Sequence, residues 1–212
     1  MKRRLKRLAT PWAAGAAGVV FAVLTATAIV LVRTALPSGA DGTGATLEPG
    51  QRSAVRTALE LIPFAGIAFL WFMGALREQG GEREERFVST VFLGSGLIFV
   101  ATLFGAAAAA WSVLDAGGQG ASFGRDVAYA LLTTYAMRMA AVFVLTTSTI
   151  GRRLGVLPRP LVAIGHLAGL TLLVVGASVP WSELIFPAWV VVLSLNILWG
   201  RHSAPPRPVA ST

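Results

Sequence analysis

Cysteine is absent from the chain. Disulfides, thiolate metal sites and cysteine nucleophiles are therefore excluded. Histidine occurs twice, at His166 and His202, and neither stands in a metalloprotease pattern, so no metal site and no cofactor is expected. Charge is scarce as well. Charged residues make up 13% of the chain, against about 25% in a typical soluble domain. The net charge of +8 is carried by short basic segments without interleaved aromatics, which does not suit a nucleic acid.

What the chain does have is apolar length. It is 55% hydrophobic, with a mean hydropathy of +0.69. The apolar residues come in runs of about twenty, the length that crosses a hydrocarbon core. This predicts an all-α, polytopic transmembrane helix bundle in a single domain over 1–200, with spans near 11–32, 56–76, 87–111, 126–150, 161–179 and 182–200. The stretch 201–212, with Pro205, Pro206 and Pro208, reads as a disordered cytoplasmic tail. The loops are expected over 33–55, with Glu48-Pro49-Gly50 as a turn signal, and over 77–86, 112–125 and 151–160. The basic start and first apolar run resemble a secretory signal, with Ala26-Thr27-Ala28 as a small-residue site. Ile29 to Val32 carry the run past that site, so an uncleaved first span is expected.

Charge orients the six spans. With the N-terminus inside, the inner segments hold 13 of the 18 lysines and arginines. The outer segments hold Arg33, Arg52, Arg56 and Arg125, and the last is Arg138. Both termini are then cytoplasmic. Trp12, Trp111, Trp181 and Trp199 fall where an interfacial belt places them. Small residues recur at every fourth position at Ala14, Gly18, Ala22 and Ala26, at Ala101, Gly105 and Ala109, and at Gly165 and Gly169. Such stripes let helices pack closely, within the bundle or in a dimer. The arginine, alanine and glycine content fits a GC-rich bacterial genome and a bacterial cytoplasmic membrane.

Five polar features stand out within this apolar background. Arg138 lies near the middle of the fourth span, where a guanidinium costs at least about 2.5–3.5 kcal/mol. Thr134 and Tyr135 share its face one turn earlier. A structural arginine, an anion or substrate contact in an outward cavity, and a lipid contact are the three readings. Glu60 is a counter-charge, but it lies about 5 Å below the outer boundary and Arg138 about 17 Å, and Arg56 is the simpler partner of Glu60. Glu60-Leu61-Ile62-Pro63-Phe64 and Glu183-Leu184-Ile185-Phe186-Pro187 both place an acid and a proline at the outer end of a span. Transporters show such paired spans at binding sites, although proline is tolerated in the first turn of any helix. His166 reads as a packed, hydrogen-bonded histidine or as a proton relay.

Ser95 is the fifth. Gly94-Ser95-Gly96 and His166-x-x-Gly169 resemble pieces of the rhomboid intramembrane serine proteases, which would imply a Ser95–His166 dyad. Leu93 and Leu173 stand where that family has glycines, and the charge rule puts both residues in the cytoplasmic half. Over more of the chain, the stretches 62–77, 86–97 and 135–143 resemble multi-pass membrane proteins of GC-rich bacteria that have no assigned activity. That resemblance implies a membrane location and a shared fold. The expected function is a structural or accessory membrane protein, not an enzyme. It would work in the lipid bilayer, with a membrane protein partner or a second copy of itself. The alternatives are a small transporter or channel with Arg138 lining an outward cavity, and the protease.

Overall fold

The computed structural model describes residues 2–35, 48–80, 86–115, 119–175, 179 and 181–199. The tail 201–212, His202 and most of the first two loops lie outside them. Seven α-helices follow one another: α1 (Lys2–Ala35), α2 (Pro49–Gly80), α3 (Arg86–Asp115), α4 (Gln119–Tyr129), α5 (Met137–Arg153), α6 (Arg159–Val175) and α7 (Ile185–Trp199). A π-helical segment, Ala130–Ala136, joins α4 to α5 without a break, and a 3₁₀ turn, Ser182–Leu184, leads into α7. No strand occurs among the described residues.

Five of the rods are long and apolar enough to cross a membrane: Trp12–Ala35, Pro49–Glu78, Phe87–Leu114, Ser122–Arg153 and Ser182–Trp199. The sixth apolar helix, α6, has only 17 residues. At 1.5 Å per residue it is about 25 Å long, short of a 30 Å hydrocarbon core. Of the expected span 161–179, α6 covers 161–175, and 176–178 lie outside the described residues.

Two helix starts come earlier than expected. Glu48-Pro49-Gly50 is not a turn between elements but the opening of α2. Pro49 sits at the first helical position, where its missing N–H costs nothing. The Glu48 N–H donates to the Gln51 side chain at 3.1 Å, which is half of a capping box. Likewise 112–125 is mostly helical, because α3 runs to Asp115 and α4 begins at Gln119. Gly124 makes that hairpin possible, since a Cβ there would collide with Ser112 and lie 2.9 Å from the Ala109 carbonyl. The 151–160 turn is as basic and tight as expected. Gly155 adopts a left-handed conformation at φ 66°. Its N–H bonds the Arg152 carbonyl at 3.2 Å, and the Val156 N–H bonds the Gly151 carbonyl at 3.1 Å. This is a Schellman motif, and it closes α5.

Successive rods run antiparallel. The C-terminal end of α1 meets the start of α7 through Arg33 and Glu183. The start of α2 meets the end of α3 through Arg56 and Trp111. The last turns of α5 meet the first of α6 through Thr149 and His166. One end of the bundle therefore carries Arg33, Arg52, Arg56, Trp111 and Trp181, and the opposite end carries Trp12, Arg152, Arg153 and Trp199.

The centre is filled by phenylalanine. Phe21, Phe69, Phe72, Phe99, Phe143 and Phe186 come from five different rods and are all fully buried. Phe69 touches the other five, with ring centroids 4.8–6.3 Å apart. All five pairs are tilted or edge-on, and edge-on contact is a favoured geometry for aromatic quadrupoles. Glycines then let the rods close on this plug. A Cβ on Gly18 would run into Ser194 and Phe72, and one on Gly165 into Ser148. The outer surface is as apolar as the centre: Phe64, Trp71, Phe87, Leu167 and Val174 are all more than half exposed. Water would penalise such a surface, and acyl chains would not.

Candidate functional site

The polar residues singled out by the sequence do not converge. Arg138 lies near the centre of the Ser122–Arg153 rod, but its side chain points away from the core. Its flanking residues Met137, Ala140 and Ala141 are the buried ones. One guanidinium nitrogen donates to the Thr134 carbonyl at 3.1 Å, on its own helix. Among the described residues this is its one hydrogen bond, out of the five donors an arginine offers. Tyr135 stands beside it, 57% exposed. Arg138 is thus an exposed residue on the outside of the bundle.

The π segment ends directly before Arg138. Its wider ring is seen where the Met137 N–H reaches the Leu132 carbonyl. A π stretch shifts the helix face by one residue and is common at functional sites. Here it holds buried Thr133, whose hydroxyl caps the Tyr129 carbonyl at 2.8 Å, and brings Tyr135 and Arg138 to the surface.

Glu60 is exposed and pairs with Arg56, Nε to Oε1 at 3.4 Å, one turn earlier on α2. It does not reach Arg138. His166 donates from Nδ1 to the Val162 carbonyl at 2.8 Å, and its Nε2 faces the Thr149 hydroxyl at 3.4 Å. The ring fastens α6 to α5. Ser95 is buried and bonds the Phe92 carbonyl at 3.1 Å. The hydrogen bonds of Ser95 and His166 run to different neighbours, so the two do not form a dyad.

The most buried charge is Glu183, which the sequence places beside a proline at the outer end of a span without indicating its partner. Glu183 is 1% exposed, and it holds the Arg33 guanidinium at 2.5 Å. The Arg33 guanidinium also lies 5.8 Å from the centroid of the Tyr129 ring. Three rods thus meet at one cluster: the end of α1, the end of α4 and the 3₁₀ turn. The backbone serves this placement. Trp181 takes a left-handed conformation at φ 70°, which is costly for a bulky side chain. It turns the chain so that Ser182 and Glu183 face inward and are buried. The second carboxylate oxygen of Glu183 has no partner among the described residues. The available signal was two opposite charges assigned to the same boundary, Arg33 and Glu183. Nothing local says that the first and last rods are neighbours.

A further set of buried polar atoms is structural. Ser148 Oγ and Trp189 Nε1 flank Gly165, and Ser194 Oγ faces Gly18. All three lack partners among the described residues. No group of three or more histidine, aspartate or glutamate residues that could hold a metal ion occurs among the described residues. Compared with protein-family models, curated proteins and solved structures, the chain matches none.

Proposed function

We propose that this chain is an accessory protein of the bacterial cytoplasmic membrane. It would dock on a different membrane protein through the face that carries Tyr135 and Arg138. In this reading α6 completes a six-span bundle with both termini cytoplasmic, supported by the bias of lysine and arginine toward one set of ends. The apolar outer surface supports embedding in lipid.

One observation carries the docking reading. Arg138 is mid-rod, exposed, and bonded only to its own helix among the described residues. Left in acyl chains, that charge costs at least about 2.5–3.5 kcal/mol. A carboxylate on a partner's helix at the same depth removes the cost and adds charge-assisted hydrogen bonds. Among the described residues a second copy of this chain offers no such group. Glu78, Asp115, Asp126 and Glu183 stand at or near rod ends, Glu60 lies three turns inside α2 and is paired with Arg56, and Glu183 is paired with Arg33. The partner is therefore a different protein with a mid-membrane acid. The phenylalanine plug leaves no central path, which withdraws support from a channel within one chain.

The test is extraction of the parent chain and Arg138→Met into polymer-bounded native nanodiscs. The parent is expected to carry one partner at fixed ratio and the variant to lose it. Isolation of the parent alone, monodisperse at low concentration, overturns the proposal.

A further inference from the structure

The rod Ser122–Arg153 is open along one half and covered along the other. From Ser122 to Arg138 it exposes Phe123, Asp126, Tyr129, Tyr135 and Arg138. From Met139 to Gly151 no residue is exposed. α6 supplies part of that cover: Gly165 faces Ser148, Gly169 faces Leu145, and His166 meets Thr149. Arg138 is thus the last exposed residue before the covered half begins.

The open half differs in chemistry from the surface that continues it. Phe123 is 72%, Tyr129 48% and Tyr135 57% exposed. Aromatic residues and arginine are the types enriched at interface cores. Tyr135 stands one turn from a mid-rod arginine, too deep for an interfacial belt. Asp126 lies on this half too, but near the rod end, roughly 17 Å outward of Arg138. No ion pair spans that distance, so Asp126 does not neutralise Arg138. Below Arg138 the surface passes to α6, which exposes Ile164, Leu167 and Leu170. A partner gains nothing there over acyl chains, which are as apolar as leucine.

We infer that the partner presents one transmembrane helix to the open half of this rod, packed along Phe123, Tyr129 and Tyr135, with its acid at Arg138 and its inner half parted from the rod by α6. The inference rests on the docking reading. A helix satisfies its own backbone polar groups at this depth. Arg138 reaches back to the Thr134 carbonyl, so the acid stands level with Tyr135. A second copy does not fit this stripe. Two copies in the same orientation, face to face across it, bring Arg138 against Arg138 at one depth, and like charges repel.

The experiment is photo-crosslinking in native membranes, with benzoylphenylalanine in place of Phe123, Tyr129, Tyr135 or Leu167 in the full chain. The crosslinked peptides are then sequenced. The three aromatic positions are expected to capture one different protein, and Leu167 to capture none. Contacts from Phe123 and Tyr135 are expected roughly 17 Å apart on one apolar helix, with an aspartate or glutamate within a turn of the Tyr135 contact. Arg138→Lys is expected to keep these crosslinks and Arg138→Gln to lose them. Capture of this chain itself, adducts of lipid mass alone, or a captured helix without an acid overturns the inference. So does a partner that is retained by the parent, and lost in Arg138→Met, yet crosslinks from Leu167 as strongly as from Tyr129. The docking reading survives that result. Isolation of the parent alone overturns the docking reading and this inference with it.

Discussion

Arg33 and Glu183 form a buried ion pair, and it joins the first rod to the last. Glu183 is 1% exposed and the Arg33 side chain 13%. A pair so placed has lost most of its hydration, and its attraction does no more than offset that loss. Removing one partner is a different matter, because it strands the other charge. Glu183→Ala or Arg33→Met is expected to cost about 3–5 kcal/mol. The double change Arg33→Met with Glu183→Met is expected to be milder than either single change. Thermal melting of the four proteins in nanodiscs checks this. Additive losses would show that the two residues act independently.

The fold was legible in the sequence because it depends on runs, and runs are local. Six apolar stretches became six apolar rods, and the tight basic turn before Pro158 was visible as Gly155 and its neighbours. Rod ends were less legible. Pro49 can stop a helix or start one, and the Gln51 side chain that decides it lies outside the proline signal. The site was less legible still. The Arg33–Glu183 pair depends on α1 and α7 being neighbours, a contact across almost the whole chain. The outward placement of Arg138 depends on the π segment Ala130–Ala136. Its composition does not distinguish it from α-helix, yet it breaks any face count carried through from Asp126.

Phe69 is expected to be the costliest single position in the core. It touches Phe21, Phe72, Phe99, Phe143 and Phe186. Phe69→Ala removes one ring from every one of those pairs and leaves a cavity among stiff neighbours. Losses of about 3–5 kcal/mol are typical of such truncations. Phe64→Ala provides the comparison, because Phe64 is 63% exposed on the outer surface. Melting of both variants in the same nanodiscs should separate them by many degrees. Equal melting temperatures would mean that the phenylalanine cluster does not hold the rods together.

Unpartnered hydroxyls make the opposite expectation. Ser148 and Ser194 are fully buried, and their oxygens lack partners among the described residues. A buried polar group without a partner costs about 1–3 kcal/mol. Ser148→Ala and Ser194→Ala are therefore expected to leave stability unchanged or to raise it. Their neighbouring glycines should behave in the reverse way. Gly165→Ala and Gly18→Ala drive a methyl into Ser148 or into Ser194 and Phe72, and overpacking of this kind costs about 1–3 kcal/mol. Pairing Gly165→Ala with Ser148→Ala should recover part of the loss, since the colliding oxygen is gone. A double variant no better than Gly165→Ala would contradict the contact.

Arg138 separates stability from association. Among the described residues its guanidinium makes one bond, to a carbonyl of its own helix. Methionine keeps much of its volume and removes the charge that acyl chains disfavour. Arg138→Met is therefore expected to melt at or above the parent's temperature when both are purified alone in nanodiscs. In native membranes the order should reverse, because the parent has its partner's carboxylate and the variant has not. A partner bound to the native state stabilises in proportion to its occupancy, so the parent's advantage should grow with partner abundance. If Arg138→Met melts well below the parent when both are alone, Arg138 belongs to the bundle's own polar network. The outer face would then have no need of a partner.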